Sequence, residues 1–310
     1  MTTAMATTME RQPEDLERIL GDWSPVEDLV PRLSGRRIFV VGTGTSWHAA
    51  NQGAYFLRQA GSDACAMSAA ECVLWGPRPT PADALIVLSH RGTKRYTSEV
   101  LEWARERGIP TAAIGGIDAP GVDVETVIQE TAGTFTASHL GALARLAQLA
   151  VTLGAELGEI EAIPAAVRAA LDAPAPAVAP PERGLDFVGG GPNAWTAAEG
   201  ALKVREAAHL FTAGWSTEQL LHGPSWALGP ADALVCLDGG GPDAERLAEL
   251  ADAIEGHGAR VHRFAARELG EALSVFPLTV AVQRIALDSA VLLGTDPDNV
   301  RPPEWDDIGL

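Results

Sequence analysis

The chain has 310 residues, a formal net charge of −18 at pH 7 and a mean hydropathy of +0.06. Its length allows two domains of ordinary size, each with a sizeable core. The negative charge repels phosphate backbones, so nucleic acid and anionic membranes are disfavoured as partners. A small anionic ligand would therefore need a local positive site.

The opening sequence, MTTAMATTME, lacks the basic segment and apolar run of a signal peptide. We also expect no apolar segment to approach the roughly 20 residues of a membrane span, which predicts a cytoplasmic protein. Cys65, Cys72 and Cys236 follow no metal-binding or CxxC spacing and are interpreted as small hydrophobic side chains in a reducing compartment. No ligand spacing predicts a metal, and no organic cofactor is implied.

The first half of the chain alternates apolar runs with helical patterns. Residues 10–34 predict one or two amphipathic helices broken at Pro25 and Pro31. RRIFVVG at 36–42 predicts a buried strand, and a helix follows from about Ser46. Further strands are predicted at 62–67, 84–89, 110–115 and 124–129, with helices at 93–107 and 136–157. This alternation predicts an α/β fold with a five-stranded parallel sheet.

The loop after the first strand is a candidate anion site. Unpaired N–H groups at the helix start would lie beside Gly44 and the hydroxyls of Thr43, Thr45 and Ser46. The alternative is simple N-capping by Thr45 or Ser46. A dinucleotide site is disfavoured because Trp47 occupies the third glycine position of GxGxxG, where its indole would block close packing of strand and helix.

The loop after the third strand, SHRGTK, is the second candidate. Its predicted substrate-binding residues are Ser89, His90, Arg91, Gly92, Thr93 and Lys94. Cations at a helix N-terminus oppose the helix dipole by roughly several tenths of a kcal/mol unless an anion lies between them. A guanidinium also suits a bidentate oxyanion. The alternative is that both cations point to water.

The second half repeats this order after a stretch rich in alanine and proline. Residues 171–183 predict an interdomain linker. Strands are predicted at 185–190, 233–240 and 259–266, with a closing helix at 276–294. GGGPNA at 189–194 satisfies GxGxxA, but no acidic residue ends a following strand about 20 positions later, as ribose binding needs. A nucleotide-dependent oxidoreductase is therefore only a remote alternative.

Most of the reaction chemistry lies between Glu199 and Pro224. Glu199, Lys203 and Glu206 fall on one helical stripe. The opposite, buried face is predicted to contain Gly200, Val204, Ala207, Ala208 and Phe211.

A second helix is predicted after a turn around Gly214. Ser216 and Gln219 have capping-box spacing, and Gly223 ends the helix, which leaves His222 at its end. A carboxylate, an ammonium and an imidazole could then converge. These groups can shuttle a proton between sugar carbons, stabilise an enolate and open the sugar ring, as aldose–ketose interconversion needs. The alternative is an exposed helix with two surface ion pairs and an ordinary terminal histidine.

The segment from Glu199 to Pro224 resembles the isomerase part of the glutamine-dependent fructose-6-phosphate aminotransferase family, which is built from two sugar isomerase (SIS) domains. MERQPEDLERIL at 9–20, GTGTS at 42–46 and GTDPDNVRP at 294–302 extend the resemblance. It implies that Glu206 is the isomerisation base, Lys203 its basic neighbour and His222 the ring-opening residue. Glu199 is predicted to help bind the substrate.

The resemblance also implies an organisation for the whole chain. We expect a helical lead-in at 1–34, SIS domains at 35–170 and 184–294 separated by the linker at 171–183, and a tail at 295–310. A homodimer with shared sites is expected, because the family lends its histidine across the dimer interface. No glutaminase domain precedes the SIS domains in this sequence, so we expect free ammonia or a separate ammonia-supplying protein in any amino-sugar reaction.

Two departures from the family leave the substrate open. The family carries SQSGET where this chain has SHRGTK, and a family lysine beyond the tail falls at Trp305. The anionic group of the substrate could therefore be phosphate, carboxylate or sulfonate. The predicted function is a sugar-phosphate aldose–ketose isomerase, with amino-sugar phosphates among the candidate substrates. The alternative is a non-catalytic sugar-phosphate sensor of the same fold.

Overall fold

The computed structural model describes residues 2–300, which form two compact units. The amino-terminal unit contains Arg11–Thr131 and Ala137–Glu161. The carboxy-terminal unit contains residues 2–10, Ala132–Thr136 and Ala162–Val300. The predicted domain bounds and linker stay a prediction, and Arg301, Pro302 and Trp305 of the predicted tail lie outside the described residues.

Short helices fill the stretch before the first strand. They are α1 Ala4–Glu10, α2 Gln12–Leu20, α3 Ser24–Glu27 and α4 Val30–Leu33. Pro25 and Pro31 lie in the first turns of α3 and α4. Proline is tolerated there because the first N–H groups of a helix have no intrahelical partner. The prolines therefore begin short helices in addition to breaking a longer one.

The amino-terminal sheet has the predicted five parallel strands among the described residues. They are β1 Ile38–Gly42, β2 Ala64–Ser68, β3 Ala84–Leu88, β4 Thr111–Gly115 and β5 Val124–Glu125, in the order β2-β1-β3-β4-β5. The helices between and after them are α5 Thr45–Gln59, α6 Ala69–Leu74, α7 Arg95–Glu106 and α8 Ala137–Thr152. Every residue of β1 and β3 is buried. Parallel strands covered on both faces give such continuous apolar runs.

The carboxy-terminal sheet has four parallel strands in the described part of the chain, so the prediction of five is wrong. The elements are α9 Ile163–Asp172, β6 Leu185–Gly189, α10 Asn193–Ala208, β7 Thr212–Ser216, α11 Thr217–Leu221, β8 Ala233–Asp238, α12 Ala244–Gly256, β9 Arg260–Ala265, α13 Gly270–Leu273 and α14 Val275–Leu293. The strand order is β7-β6-β8-β9. The chain forms α13 shortly after β9, where the amino-terminal sheet gains its fifth strand.

Strand β7 occupies the segment predicted as a turn around Gly214. A Cβ at Gly214 would collide with the backbone of Ala198 on α10, so only glycine allows this close approach. The glycine is therefore a packing feature of a strand and does not mark a turn.

Helix α14 corrects the expectation that no apolar segment reaches membrane-spanning length. Gly270–Leu293, which includes α13 and α14, is long and apolar enough to cross a membrane by length and composition. Yet most of its apolar stretch is buried inside the fold, and the core helix of a soluble protein can be equally long and apolar. α14 packs on α10, where a Cβ at Gly200 would lie 2.9 Å from Val282 Cβ. Its apolar character is therefore explained by core packing.

Candidate active site

The two predicted anion loops leave the same edge of the amino-terminal sheet. β1 and β3 are parallel neighbours, with Ile38 paired to Ala84 and Val41 paired to Val87. Loops at the carboxyl ends of neighbouring parallel strands are the usual place for a ligand in an open α/β sheet. Residues 43–46 and 89–94 thus lie at a suitable edge for one shared anion.

Helix α5 starts in the first loop without a side-chain cap. Its N-cap residue is Gly44, with φ of 57°, and no side-chain capping hydrogen bond is formed. N-capping by Thr45 or Ser46 is therefore not the role of these hydroxyls. The N–H groups of Ser46 and Trp47 donate to the carbonyls of Thr43 and Gly44, so an anion at this helix start would gain mainly from the helix dipole and the nearby hydroxyls.

The second loop presents its cations outward. Arg91, Thr93 and Lys94 are exposed, and Lys94 is the N-cap residue of α7 without a side-chain capping bond. Gly92 has φ of 67°, and a Cβ there would lie 2.6 Å from the Pro120 carbonyl oxygen. This backbone conformation and the close contact with Pro120 need glycine. The exposed Arg91 and Lys94 place two positive charges near the start of α7.

The first two residues of the second loop point into the protein. Ser89 and His90 are buried, and Ser89 Oγ lies 3.3 Å from Thr97 Oγ1 of α7. His90 Nε2 accepts a hydrogen bond from the backbone N–H of Glu130 at 3.0 Å. No local pattern predicts this bond because 40 positions separate the two residues. Substrate binding by Ser89 and His90 stays a prediction, whereas the structure shows their contacts within the protein.

Helix α10 brings the predicted base and its basic neighbour together. Lys203 Nζ lies 2.6 Å from Glu206 Oε2 and 3.5 Å from Glu199 Oε1. The side chains of Glu199 and Lys203 are 0% and 1% exposed, and that of Glu206 is 27% exposed. Two carboxylates share one ammonium, and only Glu206 reaches the surface.

This burial overturns the interpretation of an exposed charged face. Surface ion pairs contribute little to stability, whereas buried charges persist only when paired. The predicted apolar face is correct for Gly200, Val204, Ala207 and Ala208, which are buried. It is wrong for Phe211, which lies beyond the end of α10 and is 80% exposed. The helix is covered on its charged side as well as on its apolar side.

His222 lies at the end of α11, as the sequence predicted. Ser216 caps this helix by accepting a hydrogen bond from the Gln219 N–H, and His222 is the C-cap residue. The imidazole is 74% exposed, and its Nε2 lies 3.2 Å from Glu218 Oε2. Hydrogen bonding from Arg246, with a smaller effect of His222, holds the pKa of Glu218 below its usual value. The fold therefore joins the carboxylates and ammonium of α10, while His222 pairs with Glu218.

The GGGPNA loop of the carboxy-terminal unit is filled by carboxylates. The Asp243 carboxylate lies against Gly190 and leaves no room for a Cβ, and a Cβ at Gly191 would lie 2.5 Å from Glu271 Oε1. Asp243 Oδ2 also accepts a hydrogen bond from Thr217 Oγ1 at 2.7 Å. Two carboxylates would repel a pyrophosphate, so this geometry disfavours the nucleotide hypothesis.

The cysteines and potential metal ligands point to no second reaction centre. Burial raises the pKa of Cys72 to about 11 and that of Cys236 to about 12, so both thiols stay protonated near neutral pH. Cys65 is half-buried, and burial raises the pKa of its thiol as well. Across residues 2–300, no group of three or more His, Cys, Asp or Glu side chains could hold a metal ion.

The fold is a parallel α/β architecture in which the two candidate anion loops follow the carboxyl ends of β1 and β3. Residues 33–118 match the family model of the SIS domain. The predicted resemblance to SIS-domain proteins is therefore confirmed. The matched range includes both loops of the amino-terminal unit and ends before α10.

The chain is also similar in sequence to known aminotransferases. The glutamine–fructose-6-phosphate aminotransferase (isomerizing) of Gloeobacter violaceus is 26% identical over 214 residues, which are 61% of this chain and 35% of that protein. This chain thus spans about a third of the length of that relative.

Two solved structures share the fold over nearly the whole chain. Tagatose-6-phosphate ketose/aldose isomerase from Escherichia coli has a TM-score of 0.80, 17% identity and 97% coverage of both chains. Glucosamine-6-phosphate deaminase from Thermotoga maritima has a TM-score of 0.78 and 20% identity, with 97% of this chain and 98% of that chain covered. At these identities the likeness concerns the fold.

Proposed function

We propose that this protein is a sugar-phosphate aldose–ketose isomerase, with amino-sugar phosphates among its substrates. The buried Glu199–Lys203–Glu206 group, open to the surface only at Glu206, is the observation that carries the proposal. The similarity to an isomerizing aminotransferase, and to solved structures of an isomerase and a deaminase, supports a reaction at the first carbons of a sugar phosphate. A second SIS domain in the carboxy-terminal unit and a cytoplasmic location belong to this proposal.

The amino-terminal unit offers candidate residues for binding an anionic group. Thr43, Thr45 and Ser46 offer hydroxyls at the uncapped start of α5, and Arg91 and Lys94 offer charge near the start of α7. A protein with a net charge of −18 needs such a local positive site to attract an anion. These cations suit phosphate, and they also suit carboxylate or sulfonate.

Helix α10 would supply the proton transfer. In the ring-opened aldose, the Glu206 carboxylate takes the C2 proton to give an enediolate and returns it to C1, while the proton of the C2 hydroxyl passes to the C1 oxygen. The Lys203 ammonium holds this carboxylate in place and contributes positive charge near the developing oxyanion. Because Glu199 offsets the single charge of Lys203, the group keeps one net negative charge, which suits Glu206 as a base.

A sugar-phosphate sensor without catalysis is the second candidate. The exposed position of His222, paired with Glu218, favours it because ring opening then lacks its proposed acid within the same group. A homodimer in which His222 completes the site of the partner would remove this difficulty. The two candidates therefore differ in a measurable property, the turnover of the C2 proton.

The test is incubation with a panel of hexose and amino-hexose 6-phosphates in deuterated water, with NMR of C2 exchange. We expect deuterium at C2 of at least one sugar, and ammonia release would identify a deaminase. Glu206→Gln should abolish exchange, whereas the matched surface variant Glu245→Gln should keep it, because Glu245 is exposed on α12. Binding without exchange in any sugar would establish the sensor and reject the isomerase.

A further inference from the structure

His90 lies inside the amino-terminal unit although it belongs to the proposed anion loop. His90 is 8% exposed, and its imidazole packs against Gly116. A Cβ at Gly116 would lie 2.9 Å from His90 Cε1. The backbone of His90 is held on the same side, since its carbonyl accepts hydrogen bonds from the Gly116 N–H at 2.9 Å and from Gln129 Nε2 at 3.0 Å. The residue is anchored by both its main chain and its ring.

The ring bond continues into a second structural link. His90 Nε2 accepts the N–H of Glu130, and Glu130 Oε1 accepts the N–H of Ser138 in the first turn of α8 at 2.8 Å. Glu130 is itself only 4% exposed. The SHRGTK loop, the end of the sheet and the start of α8 are thus joined through one imidazole.

We propose that His90 is a positioning residue, whose neutral imidazole holds the SHRGTK loop in its anion-binding shape by accepting the Glu130 N–H. The role in ligand binding rests on the proposed function, whereas the role in fixing the loop does not. The next residue, Arg91, is exposed, so the His90 anchor sets where the first cation of the loop is presented.

A neutral ring is required because Nε2 is the acceptor. An imidazole that accepts at Nε2 carries its proton on Nδ1, and a second proton on Nε2 would meet the Glu130 N–H donor. Burial lowers the pKa of His90, Glu130 raises it, and Arg91 lowers it, with burial the largest effect. The neutral form is therefore retained to lower pH than in an exposed histidine, and the anchor fails when acid finally protonates the ring.

The lowered pKa of His90 determines how the stability of the protein changes with pH. The pKa of His90 is lower in the folded state than in the unfolded state, so its contribution to stability is complete above the unfolded value and declines as pH falls toward the folded value. Anion affinity should decline over the same range. The loop then loses its ligand in acid even while the phosphate is still charged.

Two substitutions distinguish the hydrogen-bond acceptor of His90 from the protonation of its imidazole. His90→Gln places an amide oxygen near the Nε2 position and does not titrate, whereas His90→Leu keeps similar bulk without an acceptor. We expect His90→Leu to weaken binding of inorganic phosphate and of a hexose 6-phosphate about tenfold. His90→Gln should bind more tightly than His90→Leu at pH 7.5 and should lack the decline in acid.

Amide hydrogen–deuterium exchange of residues 89–95 and 130 in the ligand-free protein provides a readout independent of any sugar. Protection, corrected for the intrinsic pH dependence, should fall about tenfold in His90→Leu and stay at the wild-type level in His90→Gln. Wild-type protection in His90→Leu, or an unchanged acid decline in His90→Gln, would overturn the proposal. If His90→Leu fails to fold, the His90→Gln profile alone decides. Loss of protection in a protein that binds no sugar phosphate would uphold the anchor and reject the proposed function.

Discussion

Removing the ammonium from the buried group on α10 tests whether these charges depend on one another. In Lys203→Met, a side chain of similar length leaves Glu199, which is 0% exposed, without the ammonium 3.5 Å away. Glu206 loses its partner at 2.6 Å but keeps contact with water through its 27% exposure. The main cost therefore falls on Glu199.

The expected loss of stability is about 3–5 kcal/mol at pH 7, the usual cost of leaving one charge of a buried pair alone. Because Glu206 is partly solvated, we expect the lower half of this range. For a unit of this size, that corresponds to a fall in Tm of roughly 6–15 °C. Denaturant unfolding followed by circular dichroism gives the free energy, with the surface variant Glu245→Gln as control.

A double variant identifies the cause of the loss. Glu199→Gln combined with Lys203→Met removes the orphaned charge, and it should recover more than half of the stability lost in Lys203→Met alone. A loss below about 1 kcal/mol in Lys203→Met would mean that water reaches the group, as at a surface pair. A large loss with no recovery in the double variant would assign the effect to packing of the lysine side chain.

Three further predictions concern the proposed reaction. Glu206→Gln should abolish C2 exchange measured by NMR while ligand affinity stays within about threefold, because the amide keeps the shape without the basicity; substantial residual exchange would remove Glu206 as the base. Arg91→Ala should weaken phosphate binding in calorimetry by about 1.5–3 kcal/mol, and Arg105→Ala at the other end of α7 should not; equal affinities would place Arg91 in solvent. Mixing inactive Glu206→Gln with inactive His222→Ala should restore about one quarter of wild-type sites if subunits exchange in a two-fold dimer; no recovery despite proven exchange would mean that His222 serves its own chain or no site.

The buried strands and the helix ends could be predicted from the sequence because the patterns that indicate them involve neighbouring residues. Continuous apolar runs predict β1, β3 and β8, and the spacing of Ser216 and Gln219 predicts the start of α11. β7 carries no such run, since it is an edge strand in which only Thr212 is fully buried. Its position depends on the contact of Gly214 with α10, which forms only in the folded chain.

The candidate site was predictable in composition but not in environment. Helical spacing places Lys203 between two glutamates, yet spacing cannot show that α10 is covered on its charged side. The link from His90 to Glu130 has no local signal either, because it joins residues from different loops. Distances along a helix can be inferred from a sequence, whereas burial depends on segments that arrive from elsewhere in the chain.

The carboxylates against Gly190 and Gly191 give the two halves of the chain different electrostatic roles. Asp243 and Glu271 place carboxylates against the glycine loop, and both groups are tethered to the same chain as the loop. Their effective concentration is that of an intramolecular group, so a free anion competes poorly for the same place. The glycine-rich loop of the carboxy-terminal unit thereby serves as a structural joint, and we expect an anionic ligand to bind at the loops of the amino-terminal unit instead.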